Sequence, residues 1–63
     1  MSAKTKRSAE YTAEYLKKAD INIKYANEYA KETGDKTLIE KVTKIQRQTE
    51  ETYQEIDKKL NNG

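Results

Sequence analysis

Between Ala9 and Thr33, small and apolar residues recur at Ala9, Thr12, Leu16, Ala19, Ile23, Ala26, Ala30 and Thr33, alternating strictly between steps of three and four. Only an α-helix gathers that spacing into one stripe. In heptad lettering Leu16, Ile23 and Ala30 take position a, while Ala19 and Ala26 take d. A second run continues the pattern with Leu38, Val42, Ile45, Thr49, Thr52 and Ile56, flanked at e by Ile39, Gln46, Tyr53 and Leu60. Neither run alternates with period two, so the spacing predicts an all-α chain of two helices.

The break between the runs is Glu32-Thr33-Gly34-Asp35-Lys36-Thr37. Gly34 is the only glycine before the terminal Gly63, and it falls where a helix ends on a left-handed residue. Asp35 or Thr37 can cap the next helix, and Thr37-Leu38-Ile39-Glu40 fits a capping box. So short a break makes the helices antiparallel neighbours, over about residues 8–33 and 37–61. Ser8 is the expected first cap. Lys4, Lys6 and Arg7 would oppose the helix dipole, so residues 1–7 read as a flexible basic tail before one hairpin domain, 8–63. Asn61-Asn62-Gly63 reads as a C-terminal stop.

Charge supports the same hairpin. Folding about Gly34–Asp35 sets Glu28 near Lys41, Lys18 near Glu51 and Glu10 near Lys59, with Glu14 facing Glu55 as the discordant pair. Exposed pairs of this kind contribute about 0 to 1 kcal/mol each, enough to select a register but not to hold a fold.

A lone hairpin is short of core. Of the 33% of residues that are hydrophobic, six are Ala and five Tyr, which leaves ten large aliphatics, counting Met1. Chains this small bury too little apolar surface to offset their ordering entropy without further cover. Tyr11 and Tyr25 at c, with Tyr15 and Tyr29 at g, widen the first stripe on its d side, and the e residues widen the second. Two apolar flanks per hairpin predict a homodimer closing into a four-helix bundle.

The composition is as informative in what it lacks. There is no Cys or His, which removes disulfides, thiolate and imidazole metal sites, Cys nucleophiles and the commonest general base. The acidic residues Glu50, Glu51, Glu55 and Asp57 have no calcium-loop spacing, and the Glu-x-x-His pair of di-iron bundles cannot exist here. No apolar run approaches the ~18 residues of a membrane span, and the first residues lack the apolar stretch of a secretory signal. The expectation is a non-enzymatic cytoplasmic protein with no cofactor and no metal. Richness in Lys, Glu, Asn, Ile and Tyr points to an AT-rich bacterial or phage genome.

One segment echoes another: Tyr11-Thr12-Ala13-Glu14-Tyr15-Leu16-Lys17 and Tyr25-Ala26-Asn27-Glu28-Tyr29-Ala30-Lys31 both read Y-x-x-E-Y-x-K, two heptads apart. The plainer reading packs these rings along a partly buried helix edge at a subunit boundary. The functional reading makes Tyr11, Tyr15, Tyr25 and Tyr29 a strip that binds a partner protein or stacks on bases. Lys17, Lys24 and Lys31 share position b and could meet phosphates along a nucleic acid, although Glu14, Asp20 and Glu28 blunt that line into an ordinary solvated face. The Lys4, Lys6, Arg7 cluster could draw anionic lipid or nucleic acid loosely, or simply keep the terminus soluble. Thr49 and Thr52 sit on the core stripe, where each hydroxyl can return to a carbonyl one turn earlier.

Tyr25-Ala26 and Tyr29-Ala30 followed by Gly34-Asp35 superficially resemble the helix-turn of tetratricopeptide repeats. The likeness stops at Asn27, where a small residue is required, and at Ile39, which replaces the packing Ala. In architecture and length the whole chain resembles plasmid copy-number regulators of the Rop type, helical hairpins that dimerise and bind paired RNA loops through the first helix. That resemblance is one of shape, without a shared motif. It implies an RNA- or DNA-binding regulator using Lys17, Lys24 and Lys31. The residues themselves favour a homodimeric protein-interaction or small regulatory module.

Overall fold

The computed structural model describes residues 2–62, and two helices take up nearly all of them: α1 at Ala3–Thr33 and α2 at Lys36–Asn62. Without proline, and with no glycine inside either segment, nothing interrupts the backbone ladders.

The start of α1 differs from the expected start near residue 8. Residues 3–7 are helical, and Met1 and Gly63 lie outside the described residues. Ser2, in extended conformation, is the cap in place of Ser8: its Oγ accepts from the Thr5 N–H at 3.1 Å and donates to Thr5 Oγ1 at 2.8 Å. A serine cap contributes about 0.5–2 kcal/mol. The unfavourable dipole of exposed lysines in the first turn costs about 0.3–1 kcal/mol, so the cap can carry the helix through them.

The turn is close to the expected one. Gly34 adopts φ 69°, and its N–H donates to the Lys31 carbonyl at 3.2 Å. Asp35 caps α2, with Oδ1 accepting from the Leu38 N–H at 3.2 Å and its carbonyl from the Ile39 N–H at 3.0 Å. Thr37 lies inside the first turn of α2, so the capping box expected there is not the start signal. The Thr33 hydroxyl donates back to the Ala30 carbonyl at 2.6 Å and accepts from the Asp35 N–H at 3.1 Å, tying the end of α1 to the cap of α2.

The helices lie antiparallel in a rod of 47 × 14 × 12 Å, the length of α1 at about 1.5 Å per residue. Their seam is rotated from the one expected. On α1 the residues turned toward α2 are Ala9, Ala13, Leu16, Asp20, Ile23, Asn27 and Ala30; on α2 they are Ile39, Val42, Gln46, Thr49, Tyr53, Ile56 and Leu60. Both sets use heptad positions a and e, and on α2 Thr43 and Glu50 at b are half-buried beside them. The d residues Thr12, Ala26, Leu38, Ile45 and Thr52 are exposed, and Ala19 is half-buried. Replacing d by e turns each helix by about 50° at 100° per residue. Thr49 and Thr52 do return their hydroxyls to the Ile45 and Gln48 carbonyls, at 2.9 and 2.8 Å, but only Thr49 is on the seam.

The expected ion-pair register is not formed. Lys18 pairs with Glu14 (3.7 Å) and Lys59 with Glu55 (3.4 Å), each one turn away on its own helix. Among the described residues the cross-hairpin pair is Lys24 with Glu50 at 3.8 Å, where folding about Gly34–Asp35 would have set Lys24 against Ile45. Among the described residues only Ala13, Ala30 and Asn27 are buried, and no large side chain is fully enclosed.

Candidate interaction surface

Position e on α1 carries Ala13, Asp20 and Asn27, so the rotated seam draws two polar residues between the helices. Asn27 retains 9% of its exposure and donates from Nδ2 to Gln46 Oε1 at 2.9 Å and to Thr43 Oγ1 at 3.4 Å. Asp20 accepts from Lys24 Nζ at 3.3 Å, and the same ammonium reaches Glu50. Oδ1 of each of Asp20 and Asn27 is buried without a partner. These groups form a polar layer along one side of the hairpin, where Lys17, Asp20, Lys24, Glu50, Tyr53 and Gln54 border a shallow groove. Apart from Lys17 and Lys24, the residues that build this layer were not among the sequence candidates. Their signal was present: Ala13, Asp20 and Asn27 are spaced with Leu16, Ile23 and Ala30 as regularly as the d residues are.

The lysine line is divided by this geometry. Lys24 sits between two carboxylates, which cancel its field toward solvent. Lys31 lies in the last turn of α1, where a cation complements the helix dipole. Lys17 borders the groove beside Asp20 and Glu50. The three residues share a face, yet only interrupted positive potential emerges from it.

The tyrosines lie elsewhere. Position c is opposite an a/e seam and g lies next to c, so Tyr11, Tyr15, Tyr25 and Tyr29 turn away from α2 and are 55–69% exposed. The partly buried edge expected for them is not formed within the hairpin, because the rotation that brought e inward carried c and g outward. The Lys18 ammonium lies 5.2 Å from the Tyr15 ring centroid, a cation–π contact at an exposed site. Ile21, half exposed, lies between the two tyrosine pairs.

The rotation also leaves a second apolar face. In an antiparallel pair, equivalent heptad positions of the two helices flank the seam on the same side, so d of α1 and d of α2 point the same way. This places Thr12, Ala19, Ala26 and Thr33 beside Leu38, Ile45 and Thr52, with Tyr15 and Tyr29 along the α1 rim. Leu38 and Ile45 are 41% and 47% exposed.

The described residues contain no group of three or more acidic, His or Cys side chains placed to hold a metal ion, and no helix is long and apolar enough to cross a membrane. In comparisons with known proteins the chain matches no family model, no curated protein and no solved structure.

Proposed function

We propose that this chain is a non-catalytic interaction module that works as a homodimer, two hairpins closing on each other as a four-helix bundle with Tyr11 and Tyr25 of the tyrosine strip left outside for a partner protein. One observation carries the reading: the hairpin does not finish its own core. Its exposed area is 5193 Å², whereas a compact monomer of 7.3 kDa exposes about 4,200 Å². The excess, about 1,000 Å² per chain, is what each partner of a stable dimer contributes. With the d face covered, Tyr11, Ile21 and Tyr25 remain accessible, and exposed aromatic rings are the side chains that anchor protein interfaces most strongly. The one carboxylate drawn between the helices, Asp20, is paired with Lys24, and the groove beside it is shallow.

Sedimentation equilibrium over a dilution series tests the dimer. The expected result is a dimer at micromolar concentration whose thermal midpoint falls on dilution. A monomer with an unchanged midpoint would refute it. The nucleic-acid alternative is tested by salt. If Lys17, Lys24 and Lys31 met phosphates, their joint removal would lower the logarithmic salt slope by about 2 to 3. The neutralised Lys24 argues for little change.

A further inference from the structure

The exposed d face is graded along the rod. Near the turn Leu38 lies beside Thr33 and Ile45 beside Ala26; farther on Thr52 lies beside Ala19, and at the open end Lys59 lies beside Thr12. Leu38 and Ile45 are 41% and 47% exposed, so the large apolar side chains this face offers a second copy are at its loop end.

Outward from d come g and then c, and the two helices differ there. On α2, Lys44, Glu51 and Lys58 follow one another at c, with Lys41, Gln48 and Glu55 at g. On α1, c carries Lys4, Tyr11, Lys18, Tyr25 and Glu32, and g carries Ser8, Tyr15, Asn22 and Tyr29. All of these side chains are exposed. Among the described residues Lys18 and Glu55 pair only with Glu14 and Lys59, one turn away on their own helices, and the other charges of the two rims make no ion pair. Asn27 is level with Gln46 and Lys24 with Glu50. At that register Lys44 is level with the gap between Tyr25 and Tyr29, and Lys58 with the gap between Tyr11 and Tyr15. Lys41 is level with Glu32, and Lys18 lies between the levels of Glu51 and Glu55. Lys44 and Lys58 are fourteen residues apart, the same interval as the repeated Y-x-x-E-Y-x-K segment. Within one hairpin the two rims point to opposite sides, so these groups do not meet.

We propose that two copies pair through their d faces across a two-fold axis running along the rod, loop ends together, with α2 of each copy antiparallel to α1 of the other. The proposal rests on the homodimer reading and specifies its topology. Such an axis keeps every residue at its own level and brings the α2 rim of one copy beside the α1 rim of the second. Lys44 and Lys58 then each sit between two tyrosine rings of the partner subunit, a cation–π arrangement of the kind Lys18 already makes with Tyr15 at 5.2 Å. Glu51 and Glu55 flank Lys18 of the partner subunit, and Lys41 meets its Glu32, so opposite charges face each other at each of these levels. In the core, Leu38 and Ile45 lie against the small residues Thr33 and Ala26 of the second copy. The outer faces of Tyr11 and Tyr25 stay open. The cost falls at the open end, where Lys4, Lys6, Arg7 and Lys59 of both copies share one end, exposed and screened by salt. An axis perpendicular to the rod at its midpoint reverses the ends, setting Leu38 and Ile45 over Thr5, Thr12 and Lys59. A perpendicular axis moved to the loop end keeps the apolar residues together but gives up most of the overlap.

The chain has no cysteine, so one introduced cysteine carries a single nitroxide, and electron–electron distances between copies decide among these arrangements. Glu40→Cys labels the loop half and Asp57→Cys the open half, both exposed and off the d face. In the proposed dimer both separations span only the bundle cross-section, two helices of about 10–12 Å each way, and fall below about 35 Å. A midpoint perpendicular axis would separate the Glu40→Cys labels by most of the 47 Å rod, and a loop-end axis would do the same to the Asp57→Cys labels. Two short distances support the pairing. A long distance at either position overturns it and leaves the homodimer standing, and so does a labelled chain that stays monomeric while the unmodified chain sediments as a dimer. An unmodified chain that sediments as a monomer overturns the homodimer reading and this proposal with it.

Discussion

Asn27 and Gln46 join the two helices through a hydrogen bond of 2.9 Å, at the one buried polar residue among those described. A hydrogen-bonded polar pair inside a seam contributes more to register than to stability, since a slip of either helix would strand an amide between the helices. Gln46 lies on the e row of α2 and Asn27 on the e row of α1, so the bond also selects the rotation of both helices.

The two residues should therefore be energetically coupled. Asn27→Leu alone leaves the Gln46 amide without its donor and should destabilise the fold by about 1–3 kcal/mol. Adding Gln46→Leu removes the stranded group and should recover most of that loss, because apolar pairs of similar size replace buried polar ones at little cost. Urea midpoints of the two single variants and the double variant form the cycle. Strict additivity would mean the bond does not couple the helices.

Isoleucines two residues apart should behave oppositely. Ile23 lies on the seam, and Ile23→Asp should cost several kcal/mol and abolish helicity by circular dichroism. Ile21 faces away from α2, and Ile21→Asp should change stability by no more than about 0.5 kcal/mol. If both unfold the chain, Ile21 is covered by something the hairpin alone does not supply. If neither does, the seam is misplaced.

The turn offers a local test. Gly34 sits at φ 69° with nothing within 4 Å of an added Cβ, so Gly34→Ala meets backbone strain and no collision. The expected loss is about 1–2 kcal/mol, and Gly34→Asn should lose less, since Asn tolerates the left-handed region. Asp35→Ala should cost a further 0.5–2 kcal/mol, roughly, as a lost cap, while Thr37→Ala should be nearly neutral. A larger effect at Thr37 than at Asp35 would restore the capping box as the start of α2. Thermal melts at one fixed protein concentration compare all four.

The hairpin itself was legible because its determinants are local. The three-four spacing, a single glycine at the break and an aspartate just after it each act within one or two turns, and the structure places the turn where they put it. The first five residues of α1 were less legible. Lys4, Lys6 and Arg7 signalled an unfavourable dipole, but a serine cap outweighs weak, screened charges. The candidate surface was legible only as an inventory: the tyrosines and lysines were identified, and their exposure and neutralisation depended on a rotation that no single helix records.

Alone, the sequence determined two helices, their antiparallel sense and the place where one becomes the other, since helix formation and capping depend on neighbours along the chain. Tertiary structure decided which stripe faces inward. Position a borders two regular rows on each helix, d on one side and e on the other, and spacing cannot rank them. The choice depends on what meets across the gap: Asn27 with Gln46, and Lys24 between Asp20 and Glu50. Gln46 and Glu50 are distant in sequence from Asn27 and Lys24 and become their neighbours only when the hairpin closes. Their pairing draws the polar e row of α1 inward and leaves Leu38, Ile45 and the four tyrosines of α1 facing out, because two rigid helices can bring only one side of each into contact.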